Sequence, residues 1–265
     1  MQKASSNVGT CGLCKVAGVA LCYSDLLPKA VVRWIRLSAD AREKNPNPIF
    51  VTHKVAKPVN FRIAEYFLCP ACEHRLNTRG ENWVLGNAFR GRSSFPLRDS
   101  LAGAPVLYPL TQARLINSRC LAGIDLEKLV YFASSVFWRA CATKWWSLDH
   151  TVQLSFGPYE EHFRQFLLGH QLFADRAALL INVSGNTEPH IAAIYPYGGG
   201  RIQGARQYRF AIPGMAFWLH VGHIPTELRA ACAYHSGILC LAPDLNEMYV
   251  RDMGSLLAKN AHGRS

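Results

Sequence analysis

The sequence predicts an α+β protein, in which a cysteine-containing N-terminal module precedes a helical and antiparallel-sheet C-terminal domain. Two Cys-x-x-Cys pairs occur in the first third of the chain. A segment in the middle of the chain has the pattern of a helix that is apolar around most of its circumference, which is typical of a buried helix. Four strand-like runs follow it, separated by turns that contain glycine or proline, and this pattern is typical of an antiparallel sheet.

The length and composition are compatible with two domains. The chain has 265 residues and a hydrophobic content of 49%, which is enough for one large or two modest domains. A basic stretch that is interrupted by glycines and prolines runs from residue 86 to residue 106. We therefore predict a zinc-binding module at residues 9–98 and an α+β domain without an assigned role at residues 99–265.

The two cysteine pairs organise the N-terminal module. Cys11 and Cys14 form the first pair, and Cys69 and Cys72 form the second. Four thiolates in tetrahedral arrangement are a preferred shell for structural Zn²⁺, and two such pairs commonly share one ion. The alternatives are four unrelated thiols or disulfides, but the chain shows no signal-peptide pattern, so a reducing compartment and a metal are favoured. Cys22 is a candidate spare ligand.

The remaining elements of the module are short. Residues 19–23 form an apolar run that is typical of a strand, and residues 30–37 have helical spacing. A loop with several prolines and a short strand at residues 49–53 leads to a second apolar run at residues 61–68. A helix is expected to begin at Pro70, because proline is favoured at the first helical position.

The C-terminal domain is predicted to begin with two helices. Asp125 is the candidate N-cap of a helix that continues to residue 144 and that should be central and buried. A second helix begins at residues 157–158, carries two acidic residues in its first turn and ends at Gly169.

A sheet and two further helices are predicted to follow. The strands are expected at residues 177–183, 190–195, 207–212 and 215–221, with turns at residues 198–200 and 213–214. The last helices are expected at residues 227–234 and 245–259. The run from Gly198 to Gly204 lacks the Gly-Lys-Ser/Thr ending of a phosphate loop, so a hairpin turn is favoured. His220 and His223, and the loop residue His53, are weaker candidates for metal binding or base catalysis.

The net charge of +11 is concentrated in the N-terminal module. Residues 1–100 contain 15 Lys or Arg against 7 Asp or Glu, whereas residues 101–265 contain 14 against 11. A basic segment around a zinc site is typical of nucleic-acid-binding proteins, although a solvated basic surface is the simpler interpretation. The sequence contains neither a secretory apolar segment nor an apolar run that is long enough to span a bilayer, so we expect a cytoplasmic protein without a membrane partner.

The order of motifs resembles that of the HNH, or ββα-metal, endonucleases. More closely, it is similar to an uncharacterised bacterial group of HNH-related proteins with a Cys-x-x-Cys, a Ser-His-Ile-Ile-Pro-Lys and a Leu-Cys-x-x-Cys-Glu motif. The matching stretches are residues 11–14, 24–29 (Ser-Asp-Leu-Leu-Pro-Lys) and 68–73, with Glu81 as a later acid and residues 134–140 as a weaker match. The resemblance implies a zinc-bound ββα unit, in which a strand offers a base and the following helix offers metal ligands.

The main departure from this pattern is Asp25, which stands where the motif has its histidine base. A group with a pKa near 7 is the best base at neutral pH, whereas an ordinary aspartate has a pKa of about 4. Three interpretations stay open. Asp25 ligates a divalent cation in a working variant site, or it marks a site that has lost catalysis, or it is a turn residue that caps the following helix.

The helix after the second cysteine pair carries the other candidate site residues. Glu73, Asn77 and Glu81 are spaced at i, i+4 and i+8, so an unbroken helix presents them on one face. Together with Asp25 they are the candidate ligands of a Mg²⁺ or Mn²⁺ ion, and the candidate catalytic residues are Asp25, Glu73 and His74. The alternative is a solvated helix face whose acidic residues pair with nearby arginines.

Six arginines are the candidate nucleic-acid contacts, because arginine donates readily to phosphate oxygens. They are Arg33, Arg36, Arg75, Arg79, Arg90 and Arg92. Trp34 and Trp83 are interleaved with them and are candidates for base stacking, although the helical spacing of Trp34 also fits a core position. We expect DNA rather than RNA as the partner.

The sequence supports two main functional hypotheses and a weaker third. In the first, the protein is an HNH-type endonuclease, in which a divalent ion at Asp25 and Glu73 drives phosphodiester hydrolysis and the zinc ion is structural. In the second, the same scaffold binds nucleic acid or protein subunits without turnover, within a larger bacterial defence or mobile-element complex, a setting that the resemblance alone implies. In the third, residues 110–265 form a small-molecule or protein sensor.

Overall fold

A computed structural model gives the fold of residues 7–38, 47–51, 56–58, 62–90, 94–110, 113–147, 150–186 and 193–242. The strands are β1 (Val8–Gly9), β2 (Val19–Ala20), β3 (Cys22–Asp25), β4 (Ile49–Val51), β5 (Ala56–Pro58), β6 (Ala64–Leu68), β7 (Tyr108–Leu110), β8 (Ala113–Asn117), β9 (Trp145–Ser147), β10 (His150–Val152), β11 (Ala177–Ser184), β12 (Ile194–Ile202), β13 (Ala205–Ile212), β14 (Met215–Val221) and β15 (Ile238–Ala242). The helices are α1 (Lys29–Ser38), α2 (Pro70–Leu76), α3 (Asn82–Asn87), α4 (Pro96–Ala102), α5 (Leu126–Ala142), α6 (Tyr159–Leu168), α7 (Thr226–Ala230) and α8 (Ala233–Ser236). A π-helical turn at Asn77–Glu81 joins α2 to α3, and a 3₁₀ turn lies at Ser118–Cys120.

Two short antiparallel strand pairs hold the cysteine-containing segments. β1 pairs with β2 around the first cysteine pair, and β3 pairs with β6 immediately before the second. α2 follows β6 directly, so two antiparallel strands and a helix occur in the order that the HNH resemblance implies, with α1, β4 and β5 between the strands. This order alone does not establish an HNH unit, because strand pairs followed by a helix occur in unrelated proteins.

A nine-stranded sheet has the order β5-β4-β12-β13-β14-β11-β15-β8-β7. The four predicted strands are β12, β13, β14 and β11, which pair antiparallel to one another as expected. The complete sheet is mixed, however, because β15 is parallel to β11 and β4 is parallel to β12. The prediction of an α+β protein is therefore confirmed, and the prediction of a purely antiparallel sheet is wrong.

The predicted central helix is α5. The Oδ1 atom of Asp125 accepts a hydrogen bond from the backbone N–H of Lys128 at 3.0 Å, which confirms the predicted N-cap. Every residue from 129 to 141 is buried, because the helix contacts the sheet, α6 and the helices that follow the second cysteine pair. Phe132 and Phe137 pack on Phe210 of β13, with ring centroids 6.1 and 4.8 Å apart.

α2, the π turn and α3 form one continuous helix at residues 70–87, which we call the composite helix. It crosses α5 at Gly80, where a Cβ atom would lie 2.8 Å from the backbone nitrogen of Phe132 and 3.0 Å from the carbonyl oxygen of Lys128. Only glycine allows two helices to approach so closely. In the π turn, the backbone N–H of Asn82 donates to the carbonyl of Asn77, so the regular i, i+4 spacing of the predicted ligand face is interrupted before Glu81.

Other local predictions have mixed outcomes. α1 covers the predicted helix, α2 begins at Pro70, and α6 ends before Gly169, whose φ of 80° gives a left-handed C-cap. The predicted turn at residues 198–200 is wrong, because these glycines lie inside β12 at an irregularity in its pairing with β13. The turn between the two strands is formed instead by Gln203 and Gly204, which both have positive φ.

The predicted helix at residues 227–234 is two short helices, α7 and α8. The helical conformation is interrupted at Cys232, whose buried Sγ accepts a hydrogen bond from the backbone N–H of Leu179 in β11 at 3.3 Å. The helix predicted at residues 245–259 and the candidate residue His53 lie outside the described residues.

Buried residues from both predicted domains belong to one hydrophobic cluster, which includes Cys11 near the N-terminus and Leu241 in β15. β4 and β5 belong to the predicted N-terminal module but extend the sheet beside β12. The boundary between residues 98 and 99 stays a prediction. Across the part of the chain that the structure describes, no helix has both the length and the apolar character that crossing a bilayer requires.

Candidate metal centre

The first cysteine pair lies in the turn between β1 and β2. The backbone N–H of Cys11 donates to the carbonyl of Val16 at 2.9 Å, and the N–H of Lys15 donates to the carbonyl of Cys11 at 3.0 Å. Lys15 has a φ of 64°, which is the left-handed conformation that closes such a turn. The turn therefore holds Cys11 and Cys14 in one compact loop.

The second cysteine pair lies at the start of α2. Cys69 precedes the helix in extended conformation, Pro70 is the first helical residue, and Cys72 lies in the first turn. The backbone N–H of Cys69 donates to the Sγ of Cys11 at 3.3 Å, and the Sγ atoms of Cys14 and Cys69 are 3.9 Å apart. Two motifs that are far apart in the sequence therefore meet.

The four cysteines form a group that fits a metal ion. Their Sγ atoms all lie within 4.8 Å of one another. Cys11, Cys69 and Cys72 are buried, and Cys14 is partly exposed. Sulfur atoms placed tetrahedrally at about 2.3 Å from Zn²⁺ are roughly 3.8 Å apart, so both the donor set and its size suit a structural metal such as zinc.

The environment of these thiols favours thiolate formation at Cys11. Burial raises the pKa of the Cys11 thiol, but hydrogen bonds from the backbones of Cys69, Cys14 and Leu13 outweigh burial and lower the pKa to about 7. Burial, and next the charge of the Cys11 thiolate, raise the pKa of Cys72 well above its ordinary value. Metal binding would therefore release protons from the group, as it does at other thiolate sites.

Further contacts join the turn of the first cysteine pair to the rest of the protein. A Cβ atom at Gly12 would lie 2.0 Å from the ring of Phe67, so only glycine fits between the turn and the core. The guanidinium of Arg164 on α6 donates to the carbonyl of Leu13 at 2.6 Å and pairs with Glu161 at 2.6 Å. The turn that holds the first cysteine pair is therefore packed against β6 and against α6 of the C-terminal half.

The carboxylate of Asp25 is paired with Arg62. The Nε and Nη2 atoms of Arg62 donate to the two carboxylate oxygens of Asp25, each at 2.6 Å. A bidentate pair of this kind is a strong, charge-assisted contact. The guanidinium therefore takes one acceptor site on each oxygen, and its positive charge makes Asp25 a weaker ligand for a divalent cation and a weaker base for an attacking water molecule.

Glu73 contacts Ser24 rather than Asp25. The hydroxyl of Ser24 donates to Oε2 of Glu73 at 2.8 Å, and Ser24 is buried. Consecutive residues of a strand point to opposite faces. Ser24 therefore lies on the face of β3 that meets α2, and Asp25 lies on the other face.

Glu81 is paired with Arg139 of α5. The Nη2 atom of Arg139 donates to Oε2 of Glu81 at 3.2 Å, and its Nη1 atom donates to the backbone carbonyl of Asp25 at 2.8 Å. Burial raises the pKa of Glu81; Arg139 opposes this rise, and the charges of Glu73 and Asp25 add to it. Arg139 thus connects β3, the composite helix and α5.

The structure does not bring the predicted Mg²⁺ or Mn²⁺ ligands into one shell. Within the described ranges, the four cysteines are the only group of three or more His, Cys, Asp or Glu residues whose ligand atoms lie within 4.8 Å of one another. Asn77 is partly buried, and the candidate catalytic residue His74 is exposed. The divalent-ion site at Asp25, Glu73, Asn77 and Glu81 stays a prediction.

Two of the predicted nucleic-acid contacts are exposed on one helix. Arg33 and Arg36 lie on α1 and are exposed, whereas Arg92 lies outside the described residues. Trp34 and Trp83 are partly buried and pack against the core. Their rings are therefore less accessible to a base than the sequence hypothesis requires.

Three further predicted arginines also have contacts with the protein, although Arg79 and Arg90 are exposed. The Nη1 atom of Arg75 donates to the carbonyl of Leu168 at 3.1 Å. The guanidinium of Arg79 lies 5.6 Å from the ring centroid of Tyr131. Arg90 donates to two carbonyl oxygens near the end of α3. These contacts hold elements together and leave less of each guanidinium for a ligand.

Three residues of the polar cluster were missed from the sequence, namely Ser24, Arg62 and Arg139. The sequence did indicate a role for Arg139, because a charged residue inside an apolar helix needs a buried partner of opposite charge. Ser24 carried a weaker signal as the first residue of the matched motif at residues 24–29, and Arg62 carried none, since its contact depends on how β3 pairs with β6. Cys22, the candidate spare ligand, is partly buried and is not a member of the four-cysteine group.

Comparisons with protein-family models, with curated proteins and with solved structures found no match for this chain. The resemblance to HNH proteins therefore depends on the motif residues alone. The structure establishes an α+β protein with a four-cysteine group that is suited to a structural metal ion.

Proposed function

We propose that this chain is an HNH-related protein that holds one structural zinc ion at its four-cysteine group and binds nucleic acid without hydrolysing it. The observation that carries the proposal is the bidentate pair of Asp25 with Arg62. A metal-dependent nuclease needs carboxylates that are open to a cation and a base that is open to water. Asp25 is poorly suited to either role while a guanidinium donates to both of its oxygens and lowers their affinity for a cation or a proton.

The position of Arg139 supports the same conclusion. Its guanidinium, on a side chain that is only 2% exposed, contacts both Glu81 and the backbone of Asp25. A divalent cation between β3 and the composite helix would lie close to this buried positive charge, and like charges repel strongly where water is excluded. Glu73 alone would be a poor ligand set for Mg²⁺ or Mn²⁺.

The proposed zinc ion has a purely structural role. Four cysteine ligands complete a tetrahedral shell and leave no position for water or substrate. The ion would join the β1–β2 turn to the start of α2, and so keep β3 and the composite helix in contact. Catalysis by this ion is not part of the proposal.

Nucleic-acid binding is supported by the distribution of charge. Lys29, Arg33 and Arg36 are exposed on α1 at positions i, i+4 and i+7, so they form a row along one side of the helix. A row of cations on a basic surface is suited to successive phosphates, and its affinity should fall with salt.

Two measurements test this proposal. The protein with Mg²⁺ or Mn²⁺ should leave supercoiled plasmid intact, and it should be retained on a DNA column at low salt and elute as the salt rises. The variant Arg33→Ala/Arg36→Ala should elute at lower salt. A control variant, Arg114→Ala/Arg201→Ala, removes the same charge from exposed positions elsewhere and should elute closer to the unchanged protein.

The second candidate function is the metal-dependent endonuclease, which the order of β3, β6 and α2 and the contact of Glu73 with Ser24 favour. Plasmid nicking that disappears in both Asp25→Ala and Glu73→Ala would support it and contradict the absence of turnover. If the protein is not retained on DNA even at low salt, the proposal of nucleic-acid binding is wrong. A sensor role for residues 110–265 is then the better hypothesis.

A further inference from the structure

Two tyrosines are exposed side by side on the outer face of the β3–β6 strand pair. Tyr23 and Tyr66 are direct partners in the register of the two strands. Their side chains are 52% and 40% exposed, and their ring centroids are 5.1 Å apart. The residues that follow them, Ser24 and Phe67, are buried on the opposite face. A strand pair that buries one face therefore presents two aromatic rings to solvent on the other.

The tyrosine pair is held in place by its neighbours. The guanidinium of Arg62 lies 5.9 Å from the ring centroid of Tyr23, and the two hydrogen bonds from Arg62 to Asp25 fix its position. The rings also contact each other at an interplanar angle of 52°. A surface that is ordered before binding loses little conformational entropy when a ligand arrives. Asp25 would thus act as a positioning residue for Arg62.

A row of basic side chains follows the first strand of this aromatic pair along the chain. The row of cations on α1 starts at Lys29, four positions after Asp25 at the end of β3. The cations of α1 and Arg62 therefore belong to segments that adjoin the strand pair in the chain.

We propose that Tyr23 and Tyr66, together with Arg62, form a stacking surface for unpaired bases, so that the nucleic acid bound by this protein is single-stranded. This inference rests on the proposed nucleic-acid binding and adds the class of ligand. Every unpaired base offers a flat face that stacks on a tyrosine ring or a guanidinium plane, while its phosphates contact nearby cations.

Single-stranded nucleic acid fits this surface better than a duplex or an apolar protein surface. In a duplex the base faces are stacked on one another, and only the base edges are accessible in the grooves. A protein partner that covers two aromatic rings would be expected to meet an apolar rim, whereas here charged groups adjoin the rings, with Arg62 beside Tyr23 and Glu65 next to Tyr66. The combination of exposed rings and cations matches bases that are joined by phosphates.

Three fluorescent probes test the inference by anisotropy. They are an oligothymidylate of about 15 nucleotides, an abasic strand with the same number of phosphates, and a hairpin duplex. The protein should bind the oligothymidylate most tightly. The variant Tyr23→Ala/Tyr66→Ala should bind oligothymidylate about ten-fold more weakly and the abasic strand unchanged, because stacking on one or two bases is lost while the phosphate contacts stay.

Control variants separate stacking from damage to the fold. Tyr23→Phe/Tyr66→Phe keeps both rings and should bind oligothymidylate like the unchanged protein. Tyr108→Ala removes a tyrosine that is 61% exposed on β7 and should also have no effect. Tyr23→Thr/Tyr66→Thr repeats the loss of the rings with residues that are favoured in strands. Each variant is compared at equal metal content and equal far-UV circular dichroism.

Two outcomes would overturn the stacking inference. In the first, the alanine and threonine variants bind oligothymidylate as tightly as the unchanged protein. In the second, the unchanged protein binds the duplex or the abasic strand at least as tightly as oligothymidylate. These outcomes leave nucleic-acid binding itself intact. The absence of binding to all three probes at low salt would instead contradict the proposed function.

Discussion

At the scale of single residues, arginine–carboxylate pairs compensate the charges of the polar cluster. Arg139 lies in a helix whose other residues around it are apolar, and it reaches Glu81 and the backbone of Asp25. A buried charge is tolerated only when it has a partner and hydrogen bonds. Glu81 and Arg139 thus depend on each other, and the removal of either leaves an unpaired charge.

Replacement of Arg139 by methionine should be strongly destabilising. Methionine fills a similar volume, but Glu81 would then be buried without its cation, which costs about 3–5 kcal/mol. The free energy of unfolding in urea measures this loss. The exposed Arg114 on β8 is the matched control, and Arg114→Met should change stability by less than about 0.5 kcal/mol. Similar effects of the two substitutions would show that the buried pair is unimportant.

Glu81 should also make stability depend on pH. Burial raises its pKa above the ordinary 4.5 in the folded protein, so the folded state holds a proton that the unfolded chain releases. The resulting stability is complete below pH 4.5 and is lost as the pH rises through the folded-state pKa. The unchanged protein should therefore lose stability relative to Glu81→Gln as the pH rises. Unfolding of both proteins across this range measures the difference, and a constant difference, or one of opposite sign, would contradict the raised pKa.

At the scale of elements, the crossing of the composite helix with α5 depends on Gly80. An added Cβ atom would meet backbone atoms of Phe132 and Lys128, which cannot rotate away. Alanine has a higher helix propensity, worth about 1 kcal/mol, but the overpacking penalty of about 1–3 kcal/mol should exceed this gain. We expect Gly80→Ala to lower the free energy of unfolding, whereas Gly103→Ala, with no atom within 4 Å of the added Cβ, should not. Equal effects would disprove the close crossing.

The joining of the β1–β2 turn to α2 should require the metal ion. We expect about one zinc ion per chain by elemental analysis. Cys14→Ser should lower this content and the melting temperature, because a tetrahedral shell loses one thiolate. Cys22→Ser changes a nearby cysteine outside the four-cysteine group and should leave both values unchanged. If the purified, unchanged protein contains no bound metal, the structural role of zinc is wrong.

The sequence predicted those elements whose signals are local. Asp125, Pro70 and Gly169 mark helix ends, and each does so in the structure. The parallel strands β4 and β15 were not predicted as parts of the sheet, because their partners lie far away in the chain. The four-cysteine group was predictable from its spacing, whereas the pairing of Asp25 with Arg62 was not, because it depends on the register of β3 and β6.

At the scale of the whole molecule, elements of the two predicted domains pack against each other. β4 pairs with β12 in the sheet, and the composite helix contacts α5. Elements that precede residue 98 are therefore packed on elements that follow it. One hydrophobic cluster contains buried residues of both parts. Separation of the two parts would expose the apolar surface of α5 and the edge of the sheet, so we expect that neither part folds independently.

We therefore expect the chain to unfold in one cooperative transition. Far-UV circular dichroism follows the sheet and the helices, and a coloured chelator follows the release of metal from the four-cysteine group. If the metal centre and the sheet belong to one folding unit, both signals should change with the same midpoint in urea. Release of metal at a clearly lower urea concentration than the loss of circular dichroism would show two units. A boundary near residues 98 and 99 would then be the better description, because the contact of β4 with β12 would be too weak to couple the two parts.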